Sequence, residues 1–394
     1  MNTDTLPAKS ELVQRMHKTP HKVAMAITGG GAESIGELLR HGNGSATLLE
    51  AVVPYDQAAF ARYIRGVPDK FCSPEAARDL AMAAFKRATE LAPEDNSENL
   101  IGLGASCSLV RPDGEREGRE HKAYVAIQTT MATTTYDFHI NLLTDQQWTR
   151  EQEETFVSDR ILEIIAETMG LGPSQYTIHA KPKCVLAQPK YLDILTGKEK
   201  YIAFLSNNAL VDTYPQSRVI FPGSFYPIHD GHLQMAEKAA EMTRQPVDFE
   251  VCVHNVDKPS MNFQSLQERL DSMQGSLKGK SYAGLILFTA TPTFATKAEA
   301  FPNSKFVVGW DTFKRIADPK YYGGADGLYK ALARLRQLNT QFLVFHRIID
   351  GKSSVHESME GIPTELVAMS TICGEDILPA TNFSSSAIRK GQQV

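Results

Sequence analysis

Apolar runs alternate with amphipathic stretches along most of the chain. Residues 22–28 (KVAMAIT) form a short apolar strand that opens into Gly29-Gly30-Gly31 and then a helical stretch over 32–40. Residues 46–53 (ATLLEAVV) predict a second buried strand, and 57–64 a helix. Ser73-Pro74-Glu75 sets an N-cap serine before a first-turn proline, which predicts a helix to about residue 91. The stretches 100–109 and 122–142 are β-rich, the second through Tyr124, Val125, Ile127 and a threonine cluster. An amphipathic helix over 151–169 stops before Gly170 and Gly172.

The rhythm breaks over 173–215, where Pro173, Pro182 and Pro189 interrupt it. Residues 190–205 read as a hairpin turning at Thr196-Gly197-Lys198, so this stretch is expected to be a connector with a small sheet of its own. A boundary falls near 172 or near 215, giving domains at 1–172 and 216–394. From 217 onward strands and helices alternate cleanly. Strands are predicted at 218–221, 249–254, 285–288, 305–309, 341–346 and 367–370, and helices at 230–243, 264–273, 295–301 and 327–337. The expected fold class is α/β in two domains, the C-terminal one a Rossmann-like parallel sheet with helices on both faces. In such sheets ligands bind beyond the carboxyl ends of the strands, which points to the loops after Phe221, Val253 and Val308.

Composition narrows the partners. A chain of 394 residues, 42% hydrophobic and 22% charged, has the balance of a globular protein and the length of two to three domains at about 150 residues each. Forty-one Lys and Arg against 46 Asp and Glu give a net charge of −5, so no basic excess draws it to nucleic acid or an anionic membrane. A small phosphorylated ligand needs only a local site. The first 18 residues scatter Asp4, Lys9, Glu11, Arg15 and Lys18, which is not a secretory pattern, and no run of 18 apolar residues marks a membrane span. Cys72, Cys107, Cys184, Cys252 and Cys373 lie far apart, with no pair at zinc spacing. Reduced thiols, no protein-held metal and a cytoplasmic location are the expectation.

The loop after the strand 218–221 reads Gly223-Ser224-Phe225-Tyr226-Pro227-Ile228-His229-Asp230-Gly231-His232. Two histidines three apart at a strand-to-helix turn can donate hydrogen bonds to phosphate, and the helix start adds N–H groups. A bare HxxH is also compatible with a helix cap or a metal pair, but the whole string is more specific. It resembles the GxFxPxHxGH signature of the nucleotidylyltransferase superfamily, which transfers a nucleoside monophosphate from a triphosphate to a phosphorylated acceptor. Phe383-Ser384-Ser385-Ser386-Ala387-Ile388-Arg389 is similar to that superfamily's ISSTxIR motif, and Phe306-Val307-Val308-Gly309-Trp310-Asp311 to its strand ending in GxD. The resemblance covers about residues 216–394. It implies catalytic His229, His232 and Arg389. It places Gly223, Ser224 and Phe225 in the nucleotide pocket, Gly309 and Asp311 at the ribose, and Ser384, Ser385 and Ser386 at the phosphates. Mg²⁺ would accompany ATP, and catalysis would be positioning plus electrostatics.

Lys258 is a candidate to neutralise the acceptor phosphate, or else a solvated surface lysine. Arg269 is a second acceptor candidate, or else a helix salt bridge. The acceptor stays open between a pyridine mononucleotide, phosphopantetheine and a phospho-alcohol, and the donor between ATP and CTP. The loop composition is most similar to pyridine-nucleotide adenylyltransferases. Many of those carry a tryptophan shortly after GxD where this chain has Tyr321 and Tyr322, which either stack on a ring or pack in the core.

The N-terminal stretch has its own resemblance. Residues 23–30 (VAMAITGG), Val52-Val53-Pro54-Tyr55 and Gly66-Val67-Pro68 are similar to the C-terminal domain of competence-damage-inducible protein A, a nicotinamide-nucleotide amidase family with motifs AES(L/C)TGG and VxYSxxxK. Placing Thr28-Gly29-Gly30 on the first motif sets Ala26 at the nucleophilic serine and Met25 at the glutamate. Placing Tyr55 on the second sets Phe60 at the lysine. Alanine is no nucleophile and phenylalanine no base, so an amidase-like but inactive domain is expected, retained for oligomerisation or nucleotide binding. Ser34 is a poor substitute nucleophile because it falls inside a helix. A homo-oligomer acting on small nucleotides is the expected assembly. A purely non-catalytic nucleotide sensor or scaffold is the rival reading.

Overall fold

A computed structural model of the chain describes residues 9–111, 120–143, 148–172, 182–205, 209–211, 214–215, 217–254, 259–346, 348–349, 352–353 and 361–373. The chain divides into two compact units, one of Met1–Leu192 with Asp257–Ser265 and the other of Asp193–Val256 with Leu266–Val394. The first holds α1 (Lys9–Met16), β1 (Lys22–Thr28), α2 (Glu33–Arg40), β2 (Leu48–Val52), α3 (Gln57–Ile64) and α4 (Pro74–Leu91). After these come β3 (Leu100–Ser108), β4 (Lys122–Gln128), β5 (Ala132–His139), α5 (Arg150–Thr168) and β6 (Lys183–Leu186).

The six described strands of this unit are ordered β2-β1-β3-β4-β5-β6. The first three run parallel and the rest antiparallel. Successive β1 side chains point to opposite faces. Val23, Met25 and Ile27 join Val157, Ile161, Leu162 and Ile165 of α5 in one cluster, while Ala26 joins a smaller cluster on α3 and α4. Helix α4 begins as its sequence directs, with the Ser73 hydroxyl accepting from the Ala76 N–H at 3.1 Å and Pro74 in the first turn. It lies directly on β3 because Gly102 and Gly104 offer no side chain. A Cβ at Gly104 would come within 2.1 Å of the Ala77 carbonyl, and one at Gly102 within 2.3 Å of Ala81 and Phe85 backbone.

Helix α6 (Tyr191–Thr196) follows. The second unit then runs β7 (Tyr201–Phe204), β8 (Leu210–Val211), β9 (Val219–Pro222), α7 (Asp230–Thr243), β10 (Val247–Cys252), α8 (Phe263–Leu277) and β11 (Ala283–Thr289). Next are α9 (Phe294–Ala300), β12 (Lys305–Gly309), α10 (Trp310–Ile316), α11 (Ala325–Gln337) and β13 (Gln341–Phe345). The last are the short pair β14 (Ile348–Ile349) and β15 (Lys352–Ser353), then α12 (Thr364–Ala368) and β16 (Ser370–Cys373). The sheet order is β16-β13-β12-β9-β10-β11-β7-β8, parallel from β16 to β11 with β7 and β8 antiparallel at one edge. This is the expected α/β crossover sheet. Phe306 and Val308 of β12 and Phe342 and Val344 of β13 face a cluster built from α9, α10 and α11. Asp248 is buried and ties the opposite ends of the strands: it accepts from Arg218 at 2.6 and 2.8 Å, from Tyr214 at 2.6 Å and from the Leu285 N–H at 2.7 Å.

Three sequence expectations are corrected. The stretch 190–205 is no hairpin, because Tyr191, Ile194 and Leu195 recur at helical spacing and are all buried on one side of α6. Nor do the described residues of the connector form a sheet of their own. β6 pairs with β5 in the first sheet, and β7 pairs with β11 in the second. The strand expected at 367–370 begins only at Ser370, since Leu366 packs into the core from the one-turn helix α12.

Candidate functional site

Strand β9 pairs with β10 on one side and β12 on the other, and the chain reverses its order along the sheet between β9 and β12. Ligands of open α/β sheets bind at such a switch point. The loop after β9 starts from a bond between the Gly223 N–H and the Glu250 carbonyl at 2.9 Å. Phe225 follows with φ of 44°, a left-handed conformation that costs an apolar residue about 1–3 kcal/mol unless packing imposes it. Packing does so here. The Phe225 ring is fully buried, edge-on to Phe221 at 5.2 Å, Phe249 at 5.3 Å and His232 at 5.0 Å. The Phe225 ring thus forms the floor under the loop. Gly223 lies on that floor, and a Cβ there would meet the Phe225 ring at 2.6 Å.

Helix α7 starts at the end of this loop with His229 as its N-cap. The His229 N–H donates to His232 Nδ1 at 3.3 Å, and the two imidazoles stack with centroids 3.7 Å apart at 29°. With Nδ1 accepting, neutral His232 carries its proton on Nε2. Two imidazole rings therefore meet the positive end of a 14-residue helix, a favourable place for phosphate. Arg269, from α8, donates to the Ser224 carbonyl at 3.0 Å and lies 4.6 Å over the Tyr226 ring. These contacts tie it to the loop.

On the other side of the switch point, Gly309 ends β12 and caps α10. A Cβ at Gly309 would meet nothing within 4 Å, so the chain's own packing does not require glycine there. Trp310 is buried and stacks on His346 at 4.8 Å, while Asp311 stays exposed, 3.9 Å from Lys314 Nζ. Of the tyrosine pair, Tyr322 packs into the core and burial pushes its hydroxyl up to about 12. Tyr321 remains half-exposed, accepting from Arg315 Nε at 3.2 Å with Lys320 Nζ 4.8 Å from its ring. Lys258, Ser384, Ser385, Ser386 and Arg389 lie outside the described residues.

Sequence reading missed one polar group. Glu250, in the middle of β10, accepts from Lys297 Nζ at 2.6 Å and from the Thr289 hydroxyl, and Thr291 extends the chain at 2.9 Å. All four are buried at the carboxyl ends of β10 and β11. Since the Glu250 carbonyl also receives Gly223, this network fixes the root of the histidine loop. The signal in the sequence was a lone glutamate inside the apolar run VDFEVC.

Residues 220–391 match the cytidylyltransferase-like family. The second unit is a nucleotidylyltransferase domain. A probable nicotinate-nucleotide adenylyltransferase of Nostoc sp. is 26% identical to it over 196 residues, 44% of this chain and 85% of that protein. Among solved structures, the nicotinic acid mononucleotide adenylyltransferase of Plasmodium falciparum complexed with NaAD is 18% identical, with a TM-score of 0.30 over 45% of this chain and 83% of its own. A competence-damaged protein (CinA) superfamily structure from Klebsiella pneumoniae is 13% identical, with a TM-score of 0.32 over 42% of this chain and 100% of its own.

The nucleotidylyltransferase domain contrasts with the glycine turn of the first unit. Ala26 and Phe60 are both buried in one apolar cluster with Ile64, Ala76 and Leu80, and Phe60 packs edge-on to Phe71 at 5.4 Å. Ser34 is buried and its hydroxyl donates to the Gly31 carbonyl at 2.6 Å, so it presents no nucleophile. A cavity of about 500 Å³ opens beside this turn, bordered by Thr28, Gly29, Glu33, Tyr55, Arg150 and Glu154. Among the described residues, no group of three His, Cys, Asp or Glu could hold a metal ion, and no helix is long and apolar enough to cross a membrane.

Proposed function

We propose that the second unit transfers AMP from ATP to nicotinamide or nicotinate mononucleotide and releases pyrophosphate. The observation that carries this reading is the stacked His229–His232 pair at the head of α7, beside Gly309 and Asp311 across the switch point. A phosphate oxygen of the acceptor attacks the α-phosphorus, and the bond from that phosphorus to the β-phosphate bridge breaks. Charge moves onto the pyrophosphate as it leaves. His232 Nε2–H and the α7 amides are preorganised donors for that charge, and the Phe225 floor and Arg269 hold the loop that bears them. Asp311, exposed beyond β12, would accept from the ribose hydroxyls. In this reading Mg²⁺ would accompany the triphosphate and supply charge neutralisation there. The activity in the Nostoc relative's name supports a pyridine mononucleotide as acceptor.

In the same proposal the first unit is an amidase-like fold without amidase chemistry, because Ala26 and Phe60 leave no nucleophile and no base. The enzyme is a cytoplasmic homo-oligomer acting on small nucleotides. Pyrophosphate release measured with ATP or CTP against a panel of phosphorylated acceptors tests the reading. Turnover with a pyridine mononucleotide, reduced about 10²–10³-fold in His232→Ala, is the expected result. Turnover confined to phosphopantetheine or a phospho-alcohol would move the acceptor. Nucleotide binding without turnover would make the domain a sensor.

A further inference from the structure

Strand β10 supports the histidine loop at two adjacent residues. The Phe249 ring lies against Phe225 at 5.3 Å and Phe221 at 6.0 Å, as part of the floor. Glu250, the next residue, is paired with Pro222 of β9, and its carbonyl accepts the Gly223 N–H at 2.9 Å. Successive side chains of a strand point to opposite faces, so the Glu250 carboxylate leaves the sheet on the face away from that floor. There Lys297 of α9 donates to its Oε1 at 2.6 Å. Glu250 is 1% exposed and Lys297 5%, and among the described residues the Lys297 ammonium has this one acceptor. Helix α9 is itself fixed: the Thr296 N–H donates to the Thr293 hydroxyl at its head, and Ala298 and Phe301 pack into the cluster with Phe306 and Phe342.

Burying two charges costs desolvation that their attraction only roughly offsets, so such a pair adds little net stability over an apolar pair of the same size. What it adds is a fixed distance and direction, because a short charge-assisted hydrogen bond tolerates less sliding than an apolar contact. We propose that Lys297 and Glu250 are positioning residues for nucleotidyl transfer: by fixing the carboxyl end of β10 against α9, the pair sets where the Gly223 amide and the Phe225 floor hold His229 and His232. All of these residues belong to the second unit. The proposal rests on the nucleotidyl-transfer reading and puts a determinant of its rate on the sheet face opposite the floor, outside the histidine motif.

The test uses the full chain and separates stability from rate. Lys297→Met leaves a buried carboxylate without its cation. Lys297→Met with Glu250→Gln removes both charges at similar volume and keeps an acceptor for the Thr289 hydroxyl. The single variant is expected to lower the melting temperature and the double variant to recover most of that loss. Turnover of ATP with a pyridine mononucleotide is expected to stay about tenfold down in kcat in both, with KM for ATP little changed. Amide hydrogen exchange across 223–233 is expected to be faster in both. If Lys297→Met does not fold, the double variant carries the test. Wild-type kcat or wild-type loop exchange in the folded double variant overturns the proposal, since the pair would then serve stability alone. A wild-type chain without turnover counts against the nucleotidyl-transfer reading, and loop exchange then decides the positioning role by itself.

Discussion

Two turns in this chain have the same local plan and opposite chemistry. Each begins at a buried parallel strand, β1 or β9, passes through glycine and enters a helix, α2 or α7. After β9 the polar side chains point out of the core: two stacked histidines stand on a phenylalanine floor at the helix head. After β1 the chemistry has turned inward, with Ala26 sealed under Phe60 and the Ser34 hydroxyl spent on the Gly31 carbonyl. The two glycine turns thus share a backbone plan and differ in the side chains set around it.

The sharpest way to break this comparison is to place the amidase motif's hydroxyl and amine in the first turn. Ala26→Ser with Phe60→Lys restores a hydroxyl and an amine, but Phe60 is 1% exposed, and a lysine there has no described acceptor in its apolar cluster. The double variant is expected to lose about 4 kcal/mol of stability by urea titration and to release no ammonia from nicotinamide mononucleotide. Ammonia release by a folded variant would mean that two side chains alone separate the turns. In the second turn, Gly223→Ala drives a methyl into the Phe225 ring and should shift the loop by up to about an ångström. Turnover is expected to fall about hundredfold with the melting temperature little changed.

The smallest effect contrasts a buried lysine with a half-buried one. Lys297 is held by Glu250, whereas Lys86 donates to the neutral Ser260 hydroxyl. Burial, helped by nearby Arg65 and opposed by Glu90, pushes the Lys86 ammonium down to about 8 from 10.5. Between those values the unfolded chain keeps a proton that the folded chain has released, so folding becomes more favourable as pH rises. Stability of the wild type relative to Lys86→Met should therefore rise above pH 8, as urea midpoints measured below and above that pH would show. A constant difference would place Lys86 in water.

The parallel sheet of the second unit was legible because its strands are short apolar runs separated by amphipathic helices, a pattern set by local periodicity. The histidine loop stood out for a related reason, since the signature it resembles is a set of residue types at fixed spacing. Less legible were α6, whose Tyr191, Ile194 and Leu195 suit either a strand or a helix until a partner surface selects one, and Phe225, whose aromatic ring could equally have faced the ligand. For Arg269 sequence shows a charge but not the carbonyl it reaches 45 residues away.

By itself, then, the sequence determined most element types of the second unit and marked the histidine loop as its candidate site, both of which depend on neighbours within a few residues. Only the tertiary structure decided that Glu250 and Lys297 meet under that loop, that Ala26 and Phe60 share one apolar cluster, and that Thr133 holds the start of α8. Those pairings join residues 34 to 130 positions apart, and burial makes them matter, because a polar group removed from water must find its partner wherever the fold brings one.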